Sequence, residues 1–405
     1  MPLAGVVVLD LADEPLALAG RLLADLGADV VRAEHAAGDA LRRRGPWAGG
    51  VLDLERGLAH LQYNAGKRSI AVDFDHPGVS EVLGPLAAHA AVIIAPMEPV
   101  PAVAALLEEA HLRGVAPGTN VVDAVLRRDG SAPAVSDIAG MAAGGHLVLD
   151  GFAEDAPNHP AGNLAYKQTS LAAALAALSL VLESEASGHG GGHVTVCMQE
   201  AVMWTTIQSA NENYWPWLGQ RPSRRGLANL GGQTVFPTGD GKWVSFYQHP
   251  PSWPAFVDWV EEALGDTRFR APQWDDLLFR TRNHHAVVEA TLALCATMSR
   301  DAVVTEAQRR QVLAVPVQTV DDIAADPHLR ARGFFQRVQH PHIGETFEVM
   351  RHPFVSTAFE AIAAPAPALG QHTRAVLAAA GFGQERLHAL LAAGIIAEAR
   401  DGVPA

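Results

Sequence analysis

Cysteine is nearly absent: the 405-residue chain holds two, Cys197 and Cys295. Two thiols make no disulfide framework, and the chain reads as a cytoplasmic protein. Charge is sparse too, at 18% Asp, Glu, Lys and Arg against 49% hydrophobic residues. That balance excludes a disordered or fibrous chain and supports a sizeable buried core, divided at this length between two domains. Cations are in deficit, with 30 Lys and Arg against 44 Asp and Glu and a net charge of −14. A general nucleic-acid binder carries a basic surplus, so no nucleic-acid partner is expected. Any anionic ligand must meet local basic residues.

Met1 to Gly5 lacks the basic stretch of a secretory signal. The longest apolar run, Leu171 to Leu182, includes Ser179 and is too short to span a bilayer. It reads as part of a buried helix, and no membrane partner is expected.

Gly5–Leu11 (GVVVLDL) is an apolar, β-branched run, as a parallel strand buried on both faces requires. Pro15–Leu26 is rich in Leu and Ala and stops at Gly27, and Asp29–Glu34 reads as a second strand. The pattern recurs with strands at Ser69–Phe74 and Ala91–Ala95 and helices at Pro77–His89 and Pro101–Arg113. Alternating strands and helices predict an open α/β sheet. Residues 114–165, rich in Gly, Pro, Asp and Asn, read as loops and short elements. A long helix over Tyr166–Glu185 is apolar nearly all round, which predicts burial. Gly188–Gly192 ends it, HVTVCM follows as a strand, and Gln199–Asn213 reads as helix. Near Trp215 the composition changes to a linker with Pro216, Pro222, Arg224, Arg225 and Gly226. A turn at Gly239-Asp240-Gly241 predicts a hairpin, with helices after it. The expected organisation is a first domain over 1–215, a smaller α+β domain over 225–325, and a segment 326–405 that returns to the first.

Several signatures are missing. ADEPLALAG after the first strand has no G-x-G-x-x-G, so no nicotinamide or flavin cofactor is expected. G-x-S-x-G and the Walker pattern are absent; Gly66-Lys67-Arg68-Ser69 has only the last letters of the latter. Among 18 histidines, His284-His285, His340, His342 and His352 invite a metal reading, but none has H-E-x-x-H spacing and no metal is expected. Two basic clusters remain, Arg42-Arg43-Arg44 and Lys67-Arg68. They are either solvated loop charges or phosphate clamps, since Arg forks match phosphate oxygens and Lys adds a point charge.

At this point the chain resembles the family III CoA-transferases (the CaiB/BaiF family) over nearly its whole length. The carrying segments are LAGVVVLDL with LLADLGADVVRAEHAAGD, NAGKRSIAVDF, ESEASGHGGGHVTVCMQEAV, VPVQTVDDIAADPHLRARGFF and PALGQHTRAVLAAAGF, in the family's order. The resemblance implies a Rossmann-like large domain, a smaller domain, and two subunits interlocked like chain links. It implies transfer of CoA between an acyl-CoA thioester and a carboxylate. By the same resemblance Lys67 and Arg68 lie near the phosphates of CoA, and Glu14 to Ala17 line the pantetheine path. Arg42 and Trp47 match positions near the CoA or acyl site, and Gly231-Gly232-Gln233 resembles a mobile glycine lid.

The sequence departs from the family in three places. The family's Asp nucleophile opens the long helix, where this chain has Tyr166. That carboxylate attacks the thioester and forms a mixed anhydride, which the thiolate then captures. A phenol with a pKa of ~10 cannot follow this route. Asp150, Glu154 and Asp155 lie eleven or more residues upstream on a loop and are weak substitutes for it. In the segment resembling the racemase's His-Asp-Ile, Asp137 remains but Ser136 replaces the His. The family's E-N-F reads Ala95-Pro96-Met97.

Three readings follow: a CoA-transferase with Tyr166 as acid or hydrogen-bond donor; a non-catalytic subunit of a heteromer whose sister bears the Asp; and an acyl-CoA hydratase or lyase. The partner expected is an identical chain or that sister. Trp204, Tyr214, Trp215 and Trp217 are either acyl-pocket or core aromatics.

Overall fold

The computed structural model describes residues 1–130, 135–151, 155–206, 234–247, 250–360 and 363–399. The chain divides into two units: Met1–Leu147, His159–Ser209 and Gly333–Ala405 form one, Val148–Asn158 and Ala210–Arg332 the other.

In the first unit the elements run β1 (Val7–Asp10), α1 (Ala17–Asp25), β2 (Asp29–His35), α2 (Ala40–Arg43), α3 (Leu58–Tyr63), β3 (Arg68–Val72), α4 (Ser80–His89) and β4 (Val92–Ile94). Then come α5 (Pro101–Leu107), α6 (Glu109–Val115), β5 (Asn120–Val125), α7 (Asp137–Ala143), α8 (Leu164–Ser187), β6 (His193–Cys197) and α9 (Met198–Thr206). The β-branched runs pair as expected, and Gly27, at φ +97°, turns the chain from α1 into β2.

Six strands are parallel in the order β3-β2-β1-β4-β5-β6, and β12 (Ile396–Ala397) adds antiparallel to β3. The order reverses between β1 and β4, which makes the space beyond their carboxyl ends a topological switch point. Both sheet faces are apolar. Leu9, Val31, Ile70, Ile93 and Val121 pack on one side with α4, α5 and α6. Val8, Val30, Val92, Ile94 and Val122 pack on the other with α1 and α8.

The stretch read as loops and short elements contains β5, an inner strand of the sheet, and α7. One expectation changes. Helix α8 is not buried all round. It buries its small residues, Ala165, Thr169, Ser170, Ala173, Ala174 and Ala177, while Leu171, Leu175 and Leu182 stand 53%, 66% and 63% exposed. Small side chains let a helix approach the sheet closely, so the bulky residues point away from it.

The second unit holds a three-stranded antiparallel sheet, β7 (Val235–Pro237), β8 (Trp243–Tyr247) and β9 (Leu313–Val317). The Asp-Gly hairpin forms as expected, with Gly241 at φ +76° and its N–H on the Thr238 carbonyl. Alternate residues Phe236, Val244, Phe246 and Ala314 face a core with α10 (Trp253–Leu264), α11 (His284–Ala296) and α12 (Arg300–Arg309). Phe246 lies 6.0 Å from Phe256 edge-on and 5.7 Å from Trp259.

From Gly333 the chain is again in the first unit. It makes the hairpin β10 (Phe335–His340) and β11 (Glu345–Met350), then α13 (Thr373–Ala379), α14 (Gln384–Ala392) and β12.

Candidate functional site

Of the two basic clusters, Arg42 and Lys67 are turned inward. Arg42 is fully buried: Nε and Nη2 donate to Glu34 at 2.6 and 2.8 Å, Nη1 to Glu55 at 2.7 Å, and Nη2 also to the Pro367 carbonyl. Lys67 is buried with its ammonium on Asp10 (2.7 Å), the Ala17 carbonyl (2.9 Å) and Asn64 (2.9 Å). An ammonium has three donors, and all three are taken. Burial makes these pairs structural, because a desolvated charge persists only when matched. Arg43 donates to the Ala37 carbonyl, and Arg44 pairs with Glu14. Arg68 binds Asp29 at the amino-terminal end of β3, the edge of the sheet opposite the switch point. Ala17 contributes its carbonyl to Lys67 rather than an open wall. Trp47 bridges to Gly57 and packs against Gly45. The lid residues Gly231, Gly232 and Gln233, the aromatics Tyr214, Trp215 and Trp217, and Glu154 lie outside the described residues.

At the switch point the loops after β1, β2, β3 and β4 enclose a cleft of about 210 Å³. Leu11, Ala33, Phe74, Pro96 and Val103 give it apolar walls, and its polar lining is Asp13, Glu14, Arg32, Glu34, His35, Asp39 and Glu98. Arg32, 6% exposed, donates to Asp10 (3.2 Å), Asp39 (2.8 Å) and the Ala12 carbonyl, while its Nε has no partner. Asp13 Oδ2 accepts the N–H groups of Met97 (3.0 Å) and Glu98 (3.3 Å), and its buried Oδ1 is unpartnered. Burial raises the Asp13 pKa, and these N–H bonds only partly oppose that. Sequence reading missed Asp13, Arg32, His35 and Glu98. Their signal was position, at or just after the carboxyl ends of adjoining strands.

One His and two Asp residues among those described have ligand spacing: His35, Asp73 and Asp75. Nδ1 of His35 accepts the Ala37 N–H at 3.1 Å. In neutral imidazole the proton then sits on Nε2, which faces Asp73 at 3.5 Å and Asp75 at 3.6 Å. The group is arranged as an imidazole N–H between carboxylates, with no lone pair turned to a metal.

Tyr166 stands in the first turn of α8 and lines a second pocket with Glu14, Leu18, Tyr63, Asn163, Lys167 and Ser170. That pocket holds about 10 Å³, room for about one water. Burial pushes the Tyr166 phenol up to about 12, and the carboxylates of Glu14, Asp137 and Asp13 push the same way. It is neutral at physiological pH, a donor and not a nucleophile. Asn163 donates to Glu14 at 3.0 Å. Asp137, 6% exposed, accepts the Tyr166 N–H at 3.0 Å and holds His159 Nε2 at 2.7 Å.

A family model described as CoA-transferase family III matches residues 3–373. The chain is 28% identical to the succinyl-CoA:(R)-benzylsuccinate CoA-transferase subunit BbsE of Thauera aromatica, over 96% of this chain and 97% of that one. It is 26% identical to the succinyl-CoA–L-malate CoA-transferase beta subunit of Chloroflexus aurantiacus, over 93% of each. It is 24% identical to the formyl-CoA:oxalate CoA-transferase of Streptomyces avermitilis, over 97% and 99%. A crystal structure of a CaiB/BaiF family protein from Brucella suis superimposes with a TM-score of 0.79 at 23% identity, over 94% and 99%.

Proposed function

The chain belongs to the family III CoA-transferases, and on that premise we propose that it is the companion subunit of a heteromeric enzyme moving CoA between an acyl-CoA thioester and a carboxylic acid. The observation behind this reading is Tyr166, a neutral phenol in the first turn of α8. By the family resemblance that position calls for a carboxylate. The covalent step then falls to a sister chain bearing the Asp. Its carboxylate attacks the donor thioester and releases CoA thiolate. The thiolate attacks the Asp carbonyl of the mixed anhydride, which expels the donor acid and leaves the Asp as its CoA thioester. The acceptor carboxylate attacks that thioester, and the thiolate it frees takes the acceptor's acyl group from the second anhydride and restores the Asp.

Two of the relatives are named as subunits. The exposed Leu171, Leu175 and Leu182 on α8 and Met203 and Trp204 on α9 give the chain apolar surface that a partner would cover. An interlocked pair is the assembly we expect for it. The two buried free cysteines suit a reducing cytoplasm.

The test is co-purification with an Asp-bearing sister, followed by exchange assays with acyl-CoA donors and carboxylate acceptors. The expected result is no exchange by this chain alone, exchange by the pair, and a hydroxylamine-sensitive adduct on the sister. Exchange by this chain alone, or an adduct on it, overturns the proposal. Turnover of one acyl-CoA without an acceptor would instead favour a hydratase or lyase.

A further inference from the structure

We infer that the switch-point cleft of this chain is closed to the phosphates of CoA, so that the enzyme containing it holds one CoA per pair of chains, on the other subunit. The inference rests on the companion-subunit reading for its stoichiometry, but the character of the cleft stands by itself.

Among the described residues that line it, Arg32 is the single Lys or Arg. Its guanidinium is already shared between Asp10 and Asp39. Two backbone N–H groups just past the end of β4, of Met97 and Glu98, are the kind of donor that receives a phosphate oxygen. Here Asp13 occupies both with a carboxylate of its own. The chain thereby fills its own anion position.

The remaining charge has the wrong sign. Glu34 is neutralised by Arg42, and Glu14 by Arg44. Asp13 has no cation bonded to it, and Glu98 is exposed at the rim. At the mouth beside His35 lie Asp73 and Asp75, the latter with an 84% exposed side chain. CoA carries a pyrophosphate and a 3′-phosphate, and a phosphate monoester alone bears about −1.5 to −2 charges near neutral pH. At such a site like charges repel over short range, and the one cation among the described lining residues, Arg32, is already bound to Asp10 and Asp39. The about 210 Å³ of space is also small beside ordinary ligand pockets of roughly 300–1,000 Å³.

The experiment is calorimetric titration of CoA into the assembled enzyme and into this chain alone. The assembled enzyme is expected to saturate at one CoA per two chains, and this chain alone to show no saturable binding at millimolar CoA. A double variant, Asp75→Lys with Glu98→Gln, changes exposed residues and should leave the thermal midpoint in place. It should bind CoA saturably in the submillimolar range, in a way that weakens as salt rises. One CoA per chain in the assembled enzyme, saturable binding by the wild-type chain alone, or no gain in the folded double variant overturns the inference. If no sister chain associates, the companion reading fails, and the titrations of this chain and its variant still decide the inference.

Discussion

Asp137 and Tyr166 are joined by one hydrogen bond, from the Tyr166 backbone N–H to Asp137 Oδ1 at 3.0 Å. A carboxylate therefore does stand at the start of α8, but it comes from α7 and is spent on the helix. Its Oδ1 satisfies an N–H of the first turn, which a helix cannot bond internally, and its Oδ2 holds His159.

Tyr166→Phe should leave the exchange rate of the assembled enzyme within about threefold of wild type, since a neutral phenol contributes at most one hydrogen bond. Asp→Ala at the sister's nucleophile should lower the rate by at least about a thousandfold. Single-turnover assays of the two variants check the contrast.

Gly20→Ala should destabilise the chain by about 1–3 kcal/mol. A Cβ there would collide with the Asp10 carboxylate and lie 3.1 Å from Lys67 Cε, both of the central ion pair. Lys67→Met should cost about 3–5 kcal/mol, because it leaves a buried carboxylate with Arg32 alone. Urea denaturation midpoints measure both.

Acid should unfold the chain in two stages. Burial, with His342 adding, holds His340 down to about 4 from 6.5. The unfolded state takes that proton first, so the contribution is whole above pH 6.5 and is lost as pH falls toward 4. His60, His342 and His372 are held down in the same direction. The second stage belongs to Asp10 and Asp39. Burial would raise both, but Lys67 and Arg32 hold Asp10 down, and Arg32, His60 and Arg42 hold Asp39 at about 2. Their contribution is present above 3.8 and lost toward 2, about 2 kcal/mol for Asp39. Stability measured against pH should show both losses, and His340→Phe should shrink the first while sparing the second.

Leu175→Lys should block association with the partner without lowering the thermal midpoint, because Leu175 is 66% exposed in the single chain. Size-exclusion chromatography with light scattering should show the variant as a lone chain.

The sheet was legible because buried parallel strands are written as β-branched runs, as in VVVLDL and SIAV. β5 was hidden since its short NVVDAV sits among Gly, Pro and Arg, and its burial is settled by β4 and β6 on either side. In α8 the hydrophobicity was plain, but which face is buried depends on how closely the sheet approaches, so alanine won over leucine. The partners of the basic clusters were hidden for a related reason. A sequence displays a charge without its counter-charge, and Arg42 meets Glu34 and Glu55, while Lys67 meets Asp10, only after folding. The same holds for Tyr166, whose raised pKa comes from burial first and then from Glu14 and Asp137 beside it, none of which a sequence displays.

The last part of the chain stitches the first. Pro367 accepts from Arg42 and His60, Gly66 donates to Pro365, Leu369 to Glu55, and Gly370 to Ser69, before β12 closes the edge of β3. During synthesis the large unit thus waits for residues made long after its strands, Pro367 following Arg42 by 325 positions. A ribosome stalled before Pro365 holds a nascent chain with an open strand edge and missing partners for Arg42, His60 and Glu55, a form suited to capture by chaperones and to proteolysis.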